Sequence, residues 1–327
     1  MNDVLEEILS RLDVEDVLRC KCVCKSWYNL ISSSYFVKAH LERSYNKKRE
    51  HGCFRVFLRL DDFSHVGSCD GLVCIYPIRG EFVVTNPSTR EVRKLPRTSM
   101  KYREKVCWGF GYDSSTDDYK VVIGYNQSEH HTCFKVLSLK SNKWKFIGDD
   151  HYSSPFNYHH GILYDGALHW FVDDTKKKKR IILSFDLSLE KFKEIPKPDD
   201  TKYVCDNRNR LGMFEERLCI YRSYSMYNRC YQTIWVMKNY NCWQLLPPDY
   251  EGNKCGAATT ACALERFPDN TWRLCGYGKG YVSLWKSWYY VTSPIFVKSL
   301  VSPYLCEQPN IQKNNKRKRK AYIQGER

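Results

Sequence analysis

Paired histidines are the residues of this sequence whose type and spacing could support metal chemistry. They occur as His130-His131 and His159-His160, and imidazole is a common ligand of zinc and copper. Adjacent residues of a strand point to opposite faces of a sheet, so one site cannot easily use both members of a pair. We therefore predict loop or strand-end histidines, and expect neither a metal site nor a cofactor.

Sixteen cysteines are a second possible source of chemistry. The N-terminal residues Met1-Asn2-Asp3 include an acidic residue and no signal-type apolar core, which predicts a reducing location in the cytoplasm, the nucleus or both. No two cysteines have the C-x-x-C spacing, which argues against a zinc finger. We expect the thiols to be small buried apolar groups.

Catalytic motifs are missing from the sequence. It contains neither H-E-x-x-H nor G-x-S-x-G, and the glycine-rich phrases at 109–111 and 276–280 do not open a convincing helix that could hold a phosphate. No catalytic residue is predicted. An enzyme built on a propeller scaffold, such as a copper oxidase, is an alternative that metal analysis of the purified protein would test.

The formal net charge of +15 is concentrated in two short runs. Lys176–Arg180 supplies five basic residues, and the stretch 313–320 supplies six. Such runs are consistent with a solvated loop and tail, with nuclear-import signals, or with a nucleic-acid contact surface. No uninterrupted apolar run approaches the ~18 residues of a membrane helix.

Apolar residues near the N-terminus recur at helical spacing. The first set lies within 4–12, the second follows Asp13 at a predicted N-cap, and the third lies within 23–31 and ends at Ser32-Ser33-Ser34. Three short helices are predicted. So small a unit buries too little surface to fold firmly alone. It is therefore either a docking module or a cap on the domain that follows.

A short sequence motif that recurs about every fifty residues follows the helices. An apolar residue is followed three positions later by another, just before a turn, at Val92/Leu95, Trp144/Ile147, Phe192/Ile195 and Trp243/Leu246. Strand-like runs precede these phrases, as at 134–137, 181–185 and 234–237. A β-rich period of this length is typical of kelch-type propellers, in which each repeat forms one sheet. We predict roughly five or six blades, with a β-sandwich as the alternative.

The phrases Val4-Leu5-Glu6-Glu7-Ile8-Leu9-Ser10-Arg11-Leu12 and Leu18-Arg19-Cys20-Lys21-Cys22-Val23-Cys24-Lys25-Ser26-Trp27 resemble the plant F-box. The resemblance implies binding to a Skp-type adaptor, and through it to a cullin. The residues implied in that contact are Val4, Leu5, Ile8, Leu9, Leu12, Val14, Val17, Leu18, Val23, Trp27 and Leu30. The family usually has Leu-Pro before the first helix, which this sequence lacks, so weakened adaptor affinity is expected.

Later phrases resemble the plant F-box-associated interaction domain, in the order of that family. They include Gly67–Cys74, Asn86-Pro87-Ser88-Thr89-Arg90, Gly109–Asp113, Asp118–Val122, Asp165–Trp170 and Phe296–Pro303. The fold expected from the resemblance is α+β overall, with a three-helix F-box followed by a C-terminal, all-β, kelch-like propeller. The expected domains are an F-box at 1–42, a linker with the first propeller strand region at 43–66, the propeller at 67–304, and a basic disordered tail at 305–327.

The function implied is substrate recognition in an SCF-type ubiquitin ligase, without catalysis by this chain. A non-ligase interaction scaffold is a further alternative. The target protein and its binding residues cannot be read from the sequence. Aromatic residues at loop ends are candidate contacts, with a core or solvated-loop position as the alternative for each: Tyr224, Tyr227, Tyr240 and Tyr250.

Overall fold

The fold is that of a computed structural model of the chain. The structure describes residues 2–51, 54–58, 63–77, 81–98, 105–128, 131–153, 160–205, 209–214, 216–226, 229–240, 242–246, 261–266, 272–276 and 295–304. Helices come first, and strands follow. Within these ranges no helix is long and apolar enough to cross a membrane.

Four helices form the N-terminal part, which we call the helical domain: α1 (Asn2–Leu9), α2 (Val14–Cys20), α3 (Lys25–Ser32) and α4 (Ser34–His51). The first three confirm the predicted helices. Asp13 occupies the N-cap position of α2, but its side chain makes no capping hydrogen bond. Ser33 separates α3 from α4, since its hydroxyl donates to the Leu30 carbonyl at 2.7 Å and accepts from the Phe36 N–H at 3.2 Å. The serines therefore also start a helix that the sequence pattern did not predict.

The apolar faces of these helices meet in one core. Its buried members are Leu9, Val14, Val17, Ile31, Phe36 and Leu300. The last of these comes from the far end of the described chain. Because a helical unit of this size buries little apolar surface by itself, the side chain from the C-terminal region completes its core.

Antiparallel sheets make up most of the remaining described chain, after a first strand β1 (Phe54–Leu58). Sheet I contains β2 (Phe63–Cys69), β3 (Leu72–Pro77), β4 (Val83–Asn86) and β5 (Glu91–Lys94). Sheet II contains β6 (Lys105–Asp113), β7 (Asp118–Ser128), β8 (His131–Ser138) and β9 (Lys143–Asp150). In both sheets the strands pair in the order of the chain.

Sheets III and IV are also built from successive antiparallel strands. Sheet III contains β10 (Tyr152–Ser153), β11 (Ile162–Tyr164), β12 (Ala167–Asp174), β13 (Lys179–Asp186) and β14 (Lys191–Ile195), with β10 and β11 both pairing with β12. Sheet IV contains β15 (Asn209–Phe214), β16 (Arg217–Met226), β17 (Arg229–Asn239) and β18 (Cys242–Leu245). The chain therefore builds four similar sheets in succession.

Sheet V joins strands from the two ends of the β region. It contains β19 (Ala261–Arg266), β20 (Trp272–Gly276) and β21 (Ile295–Phe296), in the order β20-β19-β1-β21. Strand β1 is parallel to β19 and antiparallel to β21. The segment expected to be a linker and first strand region thus supplies a central strand of this sheet.

The predicted repeat corresponds to successive sheets. Val92, Trp144, Phe192 and Trp243 all lie in the last strand of their sheets, β5, β9, β14 and β18. The strand-like runs predicted at 134–137, 181–185 and 234–237 fall in the strands before these, β8, β13 and β17. Each fifty-residue repeat is therefore one antiparallel sheet.

Neighbouring sheets are joined through these repeated aromatic residues. The indole N–H of Trp144 donates to the Pro96 carbonyl at 2.8 Å, and that of Trp243 donates to the Pro196 carbonyl at 2.8 Å. In each case a tryptophan in the last strand of one sheet donates a hydrogen bond to the segment that follows the last strand of the preceding sheet. The repeated sequence motif therefore places a tryptophan in the same contact in sheets II and IV.

The connections at the two ends of sheets I to IV differ in length. At one end all eight connections contain two or four residues, and seven of them hold a residue with positive φ, namely Asp70, Arg90, Asp117, Asn142, Asp165, Glu190 and Glu216. We call this end the turn face. The opposite end, the loop face, has connections of mixed length, from two residues between β7 and β8 and between β16 and β17 to fifteen residues between β18 and β19. The turns of neighbouring sheets meet, as where the Ser188 hydroxyl donates to Asp113 at 2.7 Å.

Candidate functional site

The eleven residues predicted to contact an adaptor lie in three environments. Val4, Ile8 and Val23 are exposed, at 66%, 55% and 63% of their surface. Leu9, Val14 and Val17 are buried in the helical core. The remaining five pack partly against that core: Leu5, Leu12, Leu18, Trp27 and Leu30. Only part of the predicted set is therefore open to a partner, and its adaptor-binding role stays a prediction.

Two exposed tyrosines extend the apolar surface of the helical domain. Tyr28 on α3 is 42% exposed and Tyr35 on α4 is 67% exposed. Neither tyrosine is among the predicted contact residues, because both lie outside the helical pattern of apolar positions that indicates a core. Large exposed apolar side chains on a small domain are a common sign of an interaction site. We refer to Val4, Ile8, Val23, Tyr28 and Tyr35 as the apolar patch.

Charged side chains tie α1 to α4 inside the helical domain. The Glu7 carboxylate accepts hydrogen bonds from Arg11 at 2.7 Å and from Arg43. Hydrogen bonds from Arg11 and then Arg43 lower the pKa of Glu7. The His40 ring contacts the Leu12 carbonyl at 3.0 Å from inside the domain. These contacts fix the angle at which α1 presents Val4 and Ile8.

A C-terminal segment, residues 297–304, packs between the helical domain and sheet I, and we call it the clasp. Leu300 enters the helical core, while Val301 enters the core of sheets I and II. The Lys298 ammonium group lies 2.5 Å from the Glu15 carboxylate on α2. One short segment therefore contacts both parts of the molecule.

Sheet I holds the clasp through polar contacts with its backbone. The Asn86 amide donates to the carbonyls of Ser299 and Val301, at 2.9 and 2.7 Å. The Arg93 guanidinium donates to the Pro303 carbonyl at 2.9 Å, and the Tyr304 hydroxyl donates to the Val92 carbonyl at 2.6 Å. Buried backbone groups need such partners. The Asn86 phrase noted in the sequence thus positions the clasp.

Direct contacts between the helical domain and the turn face complete the junction. The Asp70 carboxylate in the β2–β3 turn accepts hydrogen bonds from Tyr45 of α4 and from Tyr119 of β7, both at 2.7 Å. Burial first, and then the nearby Asp70 charge, raises the pKa of both phenols. Lys38 of α4 lies 2.9 Å from Asp117 in the β6–β7 turn. The helical domain therefore sits on the turn face.

A buried ion-pair network joins sheets II and III at the turn face. The Lys120 ammonium group lies 2.9 Å from both Asp113 and Glu190 and donates to the Leu187 carbonyl at 2.7 Å. Burial would raise the pKa of Asp113, but hydrogen bonds from Ser188 and other neighbours hold it well below its usual range. The opposite charges of Lys120 and Asp113 therefore compensate each other where both side chains are buried away from water.

Histidines do not form a metal site in the described part of the chain. No group of three or more His, Cys, Asp or Glu residues suited to a metal is found there. His131 begins β8, as expected for a strand-end residue, and its ring centroid lies 4.6 Å from that of His151. His130 and His159 lie outside the described residues.

His169 is buried inside sheet III. Its ring nitrogens lie 3.3 Å from the Ile162 carbonyl and 3.2 Å from the Ser184 hydroxyl. Burial lowers the pKa of His169 to about 4. This histidine therefore packs in the core as a neutral group.

The neutral His169 predicts a pH-dependent loss of stability. The unfolded chain takes up a proton near the ordinary pKa of about 6.5, whereas the folded chain does so only near 4. The free energy of unfolding should therefore fall as pH is lowered through this window, by at most about 1.4 kcal/mol per pH unit from this group. Urea unfolding at pH 7 and pH 5 measures the effect. His169→Gln should show a shallower pH dependence than the wild type and than His131→Gln, and equal slopes would contradict the assignment.

The four tyrosines considered as target contacts are only partly described. Tyr240 is half-buried in the β17–β18 turn, where its ring packs against those of Tyr164 and His169. Its position is therefore part of the contact between sheets III and IV. Tyr227 and Tyr250 lie outside the described residues, and so does the side chain of Tyr224.

Relatives with similar sequences are plant F-box proteins. F-box protein CPR1 of Arabidopsis thaliana is 29% identical over 73% of this chain and 69% of its own length. F-box protein At1g11270 of the same organism is 29% identical over 78% of this chain and 88% of its own length. F-box/kelch-repeat protein At3g23880, also from Arabidopsis thaliana, is 30% identical over 73% of this chain and 75% of its own length.

One comparison with a solved structure gives a low TM-score and a low sequence identity. The catalytic domain of Coprinopsis cinerea GH62 alpha-L-arabinofuranosidase has a TM-score of 0.33 and 11% identity, covering 61% of this chain and 75% of that chain. A likeness at this level supports no statement about fold or activity.

Two family models match the chain itself. The F-box domain matches residues 2–39, which are α1, α2, α3 and the start of α4. The F-box associated beta propeller domain matches residues 23–245, from within the helical domain to the end of β18. The expectation of a C-terminal interaction domain is corrected, because this match is central and ends before β19, β20 and β21. The chain belongs to the F-box associated beta propeller domain family and carries an F-box at its N-terminal end.

Proposed function

We propose that the chain is the substrate-recognition subunit of an SCF-type ubiquitin ligase, acting in the cytoplasm, the nucleus or both. The helical domain binds a Skp-type adaptor and through it a cullin, while the sheets bind a target protein. The chain itself is not catalytic; it raises the concentration of the target near the ubiquitin-carrying enzyme. The observation that carries this proposal is the exposure of the apolar patch on an F-box whose helix α4 contacts the sheets through Lys38.

In this proposal the predicted adaptor residues have different roles according to their exposure. Val4, Ile8 and Val23 are open to solvent and make the direct contact, because burying exposed apolar surface drives association. Leu9, Val14 and Val17 hold the helices together beneath them. The half-buried residues gain further burial when the adaptor binds.

We also infer that the five sheets close radially into a kelch-like propeller. Two features support this inference: the same tryptophan contact joins sheet II to sheet I and sheet IV to sheet III, and sheet V joins β1 to strands from the other end of the β region. Closure of this kind protects strand edges. An experimental structure that showed an open stack of sheets would refute it.

Introducing negative charges into the apolar patch tests adaptor binding. Ile8→Glu combined with Val23→Glu should weaken binding to a purified Skp-type adaptor at least roughly tenfold, since each charge would be desolvated in the contact. Titration calorimetry with the full chain measures the affinity. The matched control is Phe146→Glu combined with Leu189→Glu, two exposed apolar residues of the β region at 58% and 67% exposure.

The control should bind the adaptor like the wild type, with circular dichroism confirming that all three proteins are folded. The proposal is wrong if the wild-type chain binds no adaptor. The assignment of the patch is wrong if folded Ile8→Glu/Val23→Glu binds with unchanged affinity.

A further inference from the structure

Within the described residues, the helical domain contacts the turn face rather than the loop face. The contacts Lys38–Asp117 and Tyr45–Asp70 place the helices on the turn face, and the clasp also bonds to the β4–β5 turn through Asn86. An adaptor bound to the apolar patch would therefore lie on the turn-face side. On the proposed function, a target can approach the loop face without meeting the adaptor.

The basic run 176–180 lies at the loop face, in the connection between β12 and β13 and at the start of β13. Three of its five charges are compensated locally. Lys177 lies 3.4 Å from both Asp174 and Glu194, Lys179 lies 2.7 Å from Glu194, and Arg180 lies 2.9 Å from Asp173. Most of the charge seen in the sequence is therefore neutralised by this sheet's own carboxylates.

Lys176 and Lys178 differ from these three residues. Both are exposed at the tip of the hairpin, and the described residues provide neither with an ion-pair partner. The ion pairs of Lys177 and Lys179, and the hydrogen bond from the Lys177 N–H to Asp174, hold the hairpin on which these two lysines lie. A hairpin that is already ordered loses less backbone freedom on binding than a mobile loop.

The turn face carries charges of both signs. Among its described connections Arg90 and Lys140 are basic, while the acidic Asp117 pairs with Lys38 and Glu190 pairs with Lys120 and Lys145. An acidic partner would be attracted to the two uncompensated cations of the hairpin tip. Such complementarity mainly steers association and sets orientation.

We propose that the β12–β13 hairpin tip, through Lys176 and Lys178, is a docking point on the loop face for an acidic segment of the target protein. This inference rests on the proposed function. A nucleic acid is a poorer occupant, because its affinity comes from neutralising a continuous row of phosphates, whereas the hairpin offers two uncompensated cations. Two cations match a short carboxylate-rich stretch.

Zero-length carbodiimide cross-linking tests the proposal with the full chain and a fluorescein-labelled peptide of alternating Glu and Gly. This reagent joins a carboxylate to a lysine amine only where the two are in contact. Cross-links should map to Lys176 and Lys178. In Lys176→Glu/Lys178→Glu, peptide affinity measured by fluorescence anisotropy at low salt should fall roughly tenfold.

The matched control is Lys143→Glu/Lys191→Glu. These two exposed lysines begin β9 and β14, next to the turn face, so the change in net charge is the same. The control should keep wild-type peptide affinity. An equal loss in both variants would show diffuse attraction by net charge, and cross-links spread over the surface or absent would also overturn the proposal.

Two further measurements separate the remaining outcomes. If a single-stranded oligonucleotide of equal charge binds as tightly as the peptide, with the same loss in Lys176→Glu/Lys178→Glu, the site is a polyanion site and the proposal is wrong. Adaptor affinity should be unchanged in every variant. Failure of the hairpin proposal therefore leaves adaptor binding intact, whereas failure of the proposed function appears as absent adaptor binding in the wild type.

Discussion

Replacing Leu300 with Asp is expected to lower the free energy of unfolding by about 4 kcal/mol. Leu300 is buried in the helical core among Leu9, Val14 and Val17. The substitution removes a buried apolar side chain and places a carboxylate there without a cation beside it. Urea unfolding of the full chain measures the loss. Adaptor affinity should fall with it, although the substituted residue is almost three hundred positions from α1 in the sequence.

Two control variants define what the Leu300 result means. Leu300→Met keeps the volume and should cost less than about 1.5 kcal/mol. Leu189→Asp introduces the same charge at an exposed position and should change stability by about 0.5 kcal/mol or less. A Leu300→Asp protein as stable as Leu189→Asp would show that the clasp does not enter the helical core in solution.

Replacing Lys120 with Met is expected to cost about 4 kcal/mol of stability. The side chain of Lys120 is 7% exposed, and that of its partner Asp113 is fully buried. Removing the cation leaves the buried carboxylate with only neutral donors, such as the hydroxyls of Ser115 and Ser188. Chemical unfolding gives the free energy. Because Glu190 lies in sheet III, the loss should also loosen the contact between sheets II and III.

Lys145→Met is the matched control for this network. Lys145 also contacts Glu190, at 2.6 Å, but its side chain is 68% exposed. Exposed ion pairs contribute about 0–1 kcal/mol, so the control should be nearly as stable as the wild type. Adding Asp113→Leu to Lys120→Met should recover part of the loss, because the uncompensated charge is then gone. Equal effects of Lys120→Met and Lys145→Met would contradict the role given to burial.

The features best predicted from the sequence depend on local periodicity. The apolar spacing of residues 4–31 predicted three helices, and the phrase containing Trp144 and Trp243 predicted one sheet per fifty residues. Both patterns repeat within a short stretch, so a single sequence displays them. The same helical pattern did not distinguish Ile8, which is exposed, from Leu9, which is buried, because neighbouring positions on one apolar arc can face either a core or a partner.

Contacts between distant residues could not be predicted in this way. The parallel pairing of Arg55 with Ala261, for example, joins strands that share no periodic pattern. The clasp was visible as a family phrase, but its contact with α1 and α2 was not. Similarly, the run 176–180 looked like five free charges, because the compensating Glu194 lies on the next strand but is separated in the sequence.

The contact of Leu300 with the first helices also determines when, during protein synthesis, the helical core can be completed. The helices leave the ribosome early, but their core lacks one side chain until residue 300 has been made. At about 5–20 residues per second, that interval lasts on the order of tens of seconds. During this time the unfinished helical core is exposed to chaperones and proteases. A chain truncated before the clasp would retain every residue of the apolar patch and still lack a complete F-box core.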